Sequence, residues 1–154
     1  MRVLFVCLGN ICRSPLAEGV FRHLIRERGL EAIYDCASRG TAAWHAGDMA
    51  DPRTIQNAYS HGVSLQSHRA AQLTEEDCAE YDLLVAMDQS NLRNMKALTP
   101  QHEQKMILLR AFDPEDTERD VPDPYYERAD GFETVYQIVS RCVDALLMHL
   151  EEKR

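Results

Sequence analysis

Cys7 and Arg13, six positions apart near the start of the chain, are the residues best suited to do chemistry. A cysteine becomes a strong nucleophile only as a thiolate, which a nearby arginine and converging main-chain amides would favour. The same groups would bind a phosphate dianion, since the guanidinium of Arg13 is a planar fork of donors that matches phosphate oxygens. The hydroxyl of Ser14 could hydrogen-bond the Cys7 sulfur. The spacing therefore predicts a nucleophile and an anion clamp at one site.

These residues lie between a predicted strand and a predicted helix. Residues 2–6 are a short apolar run typical of a buried strand, and an amphipathic helical pattern follows Ser14, its predicted N-cap. Gly9 and Asn10 suit the turn between them. Residues 7–14 are termed the cradle loop, because its amides should converge at the helix start and bind an anion.

A cysteine and an arginine at this spacing also occur together by chance. On that alternative, Cys7 is a small buried side chain that ends a strand, and Arg13 is a solvated residue at a helix start. The strand before the loop, the helix after it, and the Gly9, Asn10 and Ser14 within it favour the catalytic interpretation.

Length and composition bound the class of protein. The 154 residues are most economically one domain, residues 1–154, of ordinary globular composition. The net charge of -8 argues against nucleic acid as a partner, and no apolar run approaches the roughly 20 residues of a membrane span. The five cysteines are scattered, which is neither a disulfide framework nor a zinc pattern. We therefore expect a cytoplasmic protein without metal, membrane or nucleic-acid binding.

Strand and helix patterns alternate along the rest of the chain. Residues 38–44 are predicted to form a loop, and the proline-bearing residues 110–128 to be irregular. The alternation predicts an α/β fold: a doubly wound, four-stranded parallel sheet with helices on both faces, flavodoxin-like, with a phosphate-binding loop after the first strand. Besides residues 2–6, the predicted strands are 33–37, 82–87 and 106–109, and the predicted helices start at Ser14, Asp51, Thr74 and Asp88, with a last helix over 132–151.

Two segments carry a resemblance to a known family. Residues 3–15, Val-Leu-Phe-Val-Cys-Leu-Gly-Asn-Ile-Cys-Arg-Ser-Pro, are similar to the signature of the low-molecular-weight protein tyrosine phosphatases. Residues 123–126, Asp-Pro-Tyr-Tyr, resemble that family's general-acid loop. Further matches, such as those at 132–136, extend the resemblance over essentially the whole chain.

The resemblance implies a metal-independent phosphatase without a cofactor. The thiolate of Cys7 would attack phosphorus to give a phosphocysteine, Arg13 and the loop amides would hold the phosphate oxygens, and Asp123 would protonate the leaving phenolate. Asp123 would then take a proton from the water that hydrolyses the intermediate. Spacing alone would instead favour a turn aspartate at this position, because the acidic segment offers five rivals: Asp113, Glu115, Asp116, Glu118 and Asp120.

The same resemblance assigns residues around this centre. Asn10 is implied to hold a left-handed conformation that turns the loop amides inward, supported by a hydrogen-bond network with Ser38 and His68. For His68, a loop histidine without a task is the alternative. The implied phosphate-binding loop consists of Leu8, Gly9, Asn10, Ile11, Cys12 and Ser14.

An aromatic pocket around the phosphorylated ring is also implied. A slot deep enough for phenyl phosphate would keep a short phosphoserine from reaching the nucleophile. Trp44 could instead be a core aromatic, but its Gly-Thr-Ala-Ala-Trp-His loop favours a binding rim. Apolar Ile11 favours phosphotyrosine, since members that act on phosphoarginine tend to carry a smaller polar residue there. The implied pocket residues are Leu8, Ile11, Trp44, Tyr125 and Tyr126.

Cys12 is the second cysteine of the cradle loop. In this family, such a cysteine can form a disulfide with the nucleophile under oxidant, which protects the nucleophile from irreversible oxidation. The resemblance therefore implies a redox role for Cys12. A buried, inert thiol is the alternative.

Two other classes of protein fit less well. An arsenate reductase, built on a similar loop and fold, needs a relay of further cysteines, and the middle of the chain offers only Cys78. A module that binds phosphotyrosine without turnover would have no use for Cys7, Arg13 and Asp123 together. We therefore expect a phosphotyrosine-containing protein as the partner, with a tyrosine kinase as one candidate.

Overall fold

A parallel four-stranded sheet lies at the centre of the computed structural model, which describes residues 1–117, 119–125 and 128–154. The strand order is β2-β1-β3-β4, and every neighbouring pair runs parallel. The predicted doubly wound, flavodoxin-like sheet is therefore confirmed. The strands are β1 (Arg2–Cys7), β2 (Asp35–Gly40), β3 (Leu83–Ala86) and β4 (Met106–Leu108).

Five α-helices and two short 3₁₀ turns accompany the sheet in these described residues. The side chains of Asp51, Thr74 and Asp88 each accept a hydrogen bond from the first turn of the helix that follows, so these predicted helix starts are confirmed. The helices are α1 (Arg13–Glu27), α2 (Pro52–Ser60), α3 (Glu75–Glu80), α4 (Gln89–Leu98) and α5 (Ala129–Lys153), and the 3₁₀ turns are Pro100–Lys105 and Leu109–Phe112.

β1 is buried on both faces, as its continuous apolar run predicts. Val3 and Phe5 pack in one hydrophobic cluster with side chains of α1 and α5, whereas Leu4 and Val6 pack in a second cluster with side chains of α3 and α4. Alternate residues of a strand point to opposite faces, so helices cover the sheet on both sides. Among the described residues, no helix has the length and apolar character to cross a bilayer.

The start of α1 differs from the prediction. Ser14, the predicted N-cap, is the second residue of the helix, and the N-cap position is Cys12, whose side chain makes no capping hydrogen bond. The amides of the first turn therefore have no side-chain cap, and the Ser14 hydroxyl has other partners, described below.

Two further boundaries were predicted incorrectly. Residues 38–40 continue β2 up to Gly40 because they keep pairing with β1, so the predicted loop starts only after them. α5 starts at Ala129 rather than at residue 132. The apolar periodicity begins only at Phe132, but the polar first turn carries Asp130, a charge that suits a helix start.

The carboxyl ends of the strands meet at one edge of the sheet, where the cradle loop follows β1. Gly40 ends β2 beside this loop, and a Cβ atom at Gly40 would lie 2.8 Å from the main-chain oxygen of Leu8. Only glycine permits this approach. Residues 119–125, which follow β4 in the chain, reach the same edge, since the Val121 amide donates to the Met87 carbonyl at 2.9 Å.

A buried ion cluster anchors the start of this irregular segment. The side chain of Asp113 is fully buried and accepts hydrogen bonds from Arg110 at 2.8 Å and from Arg141 at 3.0 Å. Arg110 also donates to the main-chain oxygen of Asp120 at 3.1 Å. Burial by itself would raise the pKa of Asp113, but the hydrogen bonds it accepts hold that pKa well below its usual range.

We predict that Asp113→Ala lowers the free energy of unfolding by about 3–5 kcal/mol at pH 7, because it leaves the guanidinium of buried Arg110 without its carboxylate. The folded-state pKa is depressed, so the stabilisation is present at neutral pH and is lost as the pH falls below about 4. Urea denaturation at pH 7 and pH 3 measures both effects.

Glu115→Ala is the matched control. Glu115 also pairs with Arg141, at 3.2 Å, but its side chain is mostly exposed. Its removal should cost less than about 1 kcal/mol. Equal costs for the two variants would contradict the anchoring role of Asp113.

Candidate active site

Cys7 ends β1 with its side chain buried in the cradle loop. Its Sγ atom lies 3.0 Å from the hydroxyl oxygen of Ser14 and accepts a hydrogen bond from the Asn10 amide at 3.3 Å. The contact predicted between Ser14 and Cys7 is therefore present. Donors at these positions, together with the nearby start of α1, stabilise negative charge on the sulfur.

Asn10 orients the Ser14 hydroxyl. Asn10 Nδ2 donates to Ser14 Oγ at 2.8 Å, so the hydroxyl accepts there and retains one proton to donate. The Cys7 sulfur at 3.0 Å is nearer than the alternative acceptor, the Arg39 carbonyl oxygen at 3.4 Å. The Ser14 proton is therefore directed at the Cys7 sulfur.

Asn10 is the only non-glycine residue with a positive φ, 57°, in the described part of the chain. Its side chain donates to Ser38 Oγ at 3.0 Å and accepts from the Ala71 amide at 2.9 Å. The main-chain carbonyl oxygen of Asn10 lies 2.8 Å from His68 Nε2. Since a carbonyl oxygen only accepts hydrogen bonds, Nε2 carries the proton. Ser38 and His68 thus both contact Asn10, and their supporting role stays a prediction.

Glu18 extends this network from α1. Ser38 Oγ donates to Glu18 Oε1 at 2.7 Å, and Nδ1 of His68 lies 3.9 Å from the same oxygen. Arg22 donates to the other oxygen, Oε2. Sequence reasoning missed Glu18, because it resembles any polar residue on the solvent side of a helix.

Arg13 lies almost fully buried at the start of α1. Its Nη1 donates to Asp88 Oδ2 at 2.6 Å and to the Val121 carbonyl at 3.0 Å, and its Nη2 lies 3.5 Å from Asp123 Oδ2. These partners leave Nε and one Nη2 hydrogen unused by the described residues, which is an edge suited to two phosphate oxygens. Burial by itself would lower the pKa of Arg13, but negative charge at Cys7 and Asp88 raises it above its ordinary value.

Asp88 is a site residue that sequence reasoning missed. Its Oδ1 caps α4 by accepting from the Asn91 amide at 2.7 Å, which leaves Oδ2 for the Arg13 guanidinium. A signal was available, since Asp88 follows a buried strand at the sheet edge where ligands bind in such folds. Its role as the cap of α4 was enough to explain an aspartate at this position, so the contact of Asp88 with Arg13 was not predicted.

Asp123 lies at the mouth of the site, with its side chain 44% exposed. Its Oδ1 accepts from the Tyr125 amide at 3.1 Å, which fixes the turn, and its Oδ2 faces Arg13. Asp123 therefore closes a turn and also faces Arg13, and its role as general acid stays a prediction. Glu118 lies outside the described residues, and of the other five acidic candidates Asp123 is the one that lines the cavity described next.

The cavity above Cys7 has a volume of about 170 Å³. Trp44 stands at its rim with 74% of its surface exposed, so the core alternative for this residue is wrong. Tyr125 forms the opposite part of the rim, and Tyr126 lies outside the described residues. Asn10, Ser14, Ser38 and His68 do not line the cavity. Its lining residues are Cys7, Leu8, Gly9, Ile11, Cys12, Arg13, Trp44, His45, Asp123 and Tyr125.

Arg53, which sequence reasoning also missed, holds the Tyr125 side of the rim. Its guanidinium donates to the Tyr125 carbonyl at 2.9 Å and lies 4.6 Å from the centre of the Phe132 ring. Asp51, the cap of α2, fixes the other edge of the guanidinium, with an Nη2 to Oδ2 distance of 2.8 Å. Nothing in the spacing of these residues indicated that they meet.

Cys12 is a free, buried thiol. Burial raises its pKa to about 12, although the neighbouring Thr54 side chain acts in the opposite direction. Cys12 is therefore protonated at neutral pH. Its redox role stays a prediction.

The sequence matches a known protein family over almost its whole length. Residues 2–154 match the family model described as "Low molecular weight phosphotyrosine protein phosphatase". A relative from Streptomyces coelicolor, named low molecular weight protein-tyrosine-phosphatase, is 42% identical over 99% of this chain and 94% of its own length. The chain belongs to the low molecular weight phosphotyrosine protein phosphatase family. The predicted family and enzyme class, a metal-independent phosphoric monoester hydrolase, are thereby confirmed.

Solved structures share the whole fold. A protein tyrosine phosphatase from Entamoeba histolytica, with Hepes in its active site, has a TM-score of 0.94 and 36% identity, covering 99% of this chain and 98% of that one. A structure of the YwlE arginine phosphatase, a mutant with a phosphorylated active-site serine, has a TM-score of 0.91 and 26% identity, covering 100% and 98%. Both belong to phosphatases, but they act on different phosphorylated groups.

We predict that Ser38→Ala lowers kcat about three- to ten-fold, because it removes one hydrogen-bond acceptor of the Asn10 side chain and loosens the left-handed loop, at a cost of about 1 kcal/mol. Ser60→Ala is the control, since Ser60 is an exposed serine at the end of α2. Steady-state hydrolysis of p-nitrophenyl phosphate measures kcat. A Ser38→Ala enzyme with the kcat of Ser60→Ala would show that the network does not support the loop.

Proposed function

We propose that residues 1–154 form one phosphatase domain, which hydrolyses phosphotyrosine in proteins through a phosphocysteine intermediate. Cys7 is the nucleophile, Arg13 the phosphate clamp and Asp123 the general acid and base. One observation carries the proposal: a single small cavity is lined by the Cys7 sulfur, by the Arg13 guanidinium and by a half-exposed carboxylate at its mouth.

In the first step, the Cys7 thiolate attacks phosphorus and the bond from phosphorus to the phenolic oxygen breaks. The free edge of Arg13 and the loop amides hold the equatorial oxygens as charge develops. Asp123, protonated, gives its proton to the leaving phenolate. The contact of 3.5 Å between Asp123 and Arg13 would then be replaced by contacts with the phosphoryl group.

In the second step, water attacks phosphorus and the sulfur–phosphorus bond breaks. Asp123, now a carboxylate, takes a proton from the water. Cys7 leaves as a thiolate, which the Ser14 hydroxyl and the Asn10 amide stabilise at 3.0 and 3.3 Å. The phosphorylated serine at the active site of the YwlE mutant supports a covalent route of this kind, since there a side chain carries the phosphoryl group.

The walls of the cavity favour an aryl phosphate. Leu8 and Ile11 supply apolar contact, and Trp44 and Tyr125 supply aromatic faces at the rim. A phosphoarginine would place a charged guanidinium in this slot, where Asp123 is the one lining carboxylate among the described residues and is already engaged as the acid. Phosphotyrosine is therefore the better fit, although the YwlE structure is that of an arginine phosphatase.

The substrate is accordingly a phosphoprotein, and a tyrosine kinase that carries phosphotyrosine is one candidate partner. All five cysteines are free thiols, which supports a reducing compartment and thus the cytoplasm. The net charge of -8 supports a protein partner rather than nucleic acid.

We predict metal-independent hydrolysis of p-nitrophenyl phosphate in EDTA, at rates that depend on Cys7 and on Asp123. Cys7→Ser should lower kcat by at least about 10⁴-fold, and Asp123→Ala by about 10²- to 10⁴-fold, with loss of one limb of the pH profile. Asp144→Ala, which removes an exposed carboxylate of α5, is the control.

Two peptides that differ only in carrying phosphotyrosine or phosphoarginine then distinguish the two substrate classes. The expected result is a kcat/KM for the phosphotyrosine peptide at least about ten-fold higher. Unchanged turnover in Cys7→Ser would refute the mechanism, whereas a preference for phosphoarginine would refute only the substrate.

Cys12 is proposed to protect the nucleophile. Peroxide oxidises the Cys7 thiolate to a sulfenic acid, the Cys12 sulfur attacks that sulfur, and a disulfide forms as water leaves. The buried, protonated state of Cys12 makes this step slower than attack by an exposed thiolate.

We predict that dithiothreitol restores most of the activity of the peroxide-treated enzyme, and that mass spectrometry detects a Cys7–Cys12 bridge. Cys12→Ala should lose this recovery relative to its own untreated activity, whereas Cys78→Ala, remote on α3, should keep it. Recovery without a detectable bridge would exclude the protective role.

A further inference from the structure

A second cavity, of about 460 Å³, lies on the other side of the cradle loop's support network. It is enclosed by α1, by the end of β2 and by residues 62–69. Its lining shares no residue with the cavity above Cys7. Segment 62–69 closes onto α1 at Gly19, where a Cβ atom would lie 2.3 Å from the Leu65 side chain. The cavity is therefore a separate, formed feature of the fold.

The lining of this second cavity is strongly basic, in a chain whose net charge is -8. Glu18 supplies the one carboxylate within this lining, and Glu27, Glu31 and Asp77 pair with its basic residues from outside it. Such a concentration of arginine favours an anionic ligand, since guanidinium groups match the oxygens of phosphate. The basic lining residues are Arg22, His23, Arg26, Arg39, His68 and Arg69.

The arginines divide into two pairs by their contacts. Arg22 and Arg39 are anchored by carboxylates, on Glu18 and on Asp77. Arg69 has only the main-chain oxygens of Gln66 and His68 as hydrogen-bond acceptors within the described residues. Arg26 meets Glu31 at 3.8 Å, a distance at which exposed charges interact weakly. Arg26 and Arg69 therefore have charge available for a ligand.

Glu18 connects the second cavity to the catalytic centre. It accepts from Arg22 on the cavity side and from Ser38 at 2.7 Å on the loop side. Ser38 in turn accepts from Asn10, the left-handed residue whose amide donates to the Cys7 sulfur. The two cavities are thus joined by a continuous chain of hydrogen bonds.

We propose that this second cavity binds a small phosphate-bearing anion and that its occupancy is coupled to catalysis at Cys7. An anion bound at Arg26 and Arg69 competes with Glu18 for the guanidinium of Arg22. Glu18 is then held by Ser38, with His68 Nδ1 at 3.9 Å, and its movement shifts the hydrogen bond between Ser38 and Asn10. Coupling of this kind is reciprocal for binding, so a ligand above Cys7 changes the affinity of the second cavity by the same factor.

The binding test follows backbone amide NMR shifts of the full chain while inorganic phosphate is added, and glycerol 3-phosphate in a parallel arm. Saturating benzylphosphonate occupies the cavity above Cys7 throughout, so no turnover is required and the result does not depend on the catalytic mechanism. We expect saturable shifts at Arg39 and residues 67–69. A response to inorganic phosphate identifies a free anion as sufficient, and a response to glycerol 3-phosphate alone identifies a phosphate ester.

Charge reversal at two arginines of the second cavity supplies the decisive comparison. In the double variant Arg26→Glu/Arg69→Glu, the apparent Kd should rise at least about ten-fold. Arg93→Glu, which changes an exposed arginine of α4 outside both cavities, should bind as wild type does. Shifts that do not saturate, or equal affinity in the double variant, would overturn the site.

Coupling is measured on kcat for p-nitrophenyl phosphate with and without glycerol 3-phosphate. We expect a change in kcat of at least about two-fold in wild type and none in the double variant. Competition above Cys7 alone would alter KM and leave kcat unchanged. Binding in the second cavity with an unchanged kcat would overturn the coupling.

Discussion

Asn10 holds a backbone conformation that costs most residues about 1–2 kcal/mol, and the shape of the cradle loop depends on it. With φ at 57°, its amide donates to the Cys7 sulfur while its side chain and main-chain carbonyl bind other elements. These partners come from α1, β2 and the segment before α3. A loop of eight residues is therefore held by elements that are up to 61 positions away in sequence. Because the fold supplies these partners before any ligand arrives, the donors need no reorganisation when charge develops.

Arg13 imposes a second constraint, because a buried guanidinium requires negative charge nearby. Asp88 supplies it from the start of α4, and the Val121 carbonyl supplies a further acceptor from the segment after β4. One side chain thus joins the regions that follow three strands. Both partners bind Nη1, so the edge that faces the cavity keeps its donors. These donors suit the proposed phosphate ligand although the chain as a whole is acidic.

Local patterns predicted the fold well, because a few neighbouring residues are enough to indicate each strand or helix. The apolar run of β1 and the caps at Asp51, Thr74 and Asp88 are signals of this kind. The end of β2 was missed because Ser38 to Gly40 are polar or small, and pairing with β1 makes them a strand. Spacing indicated Cys7 and Arg13, whereas only the family resemblance selected Asp123 as the proposed general acid, since spacing does not distinguish it from its acidic neighbours. Glu18 and Arg53 carried no local signal, because their partners lie 20 and 72 positions away.

The segment that carries Asp123 is held in place at several residues, whereas the Asp123 carboxylate itself is held only loosely. It is held at Asp113 by buried ion pairs, at Asp120 by Arg110 and at Val121 by Arg13 and Met87. Beyond Val121 the Asp123 carboxylate is half exposed and meets Arg13 only at 3.5 Å. An acid that formed a tight ion pair with Arg13 would be held as a carboxylate and could not donate a proton. The main-chain contacts at Asp120 and Val121 and the loose contact of Asp123 therefore suit the proposed general acid, which would approach the leaving oxygen, release a proton and recover it from water.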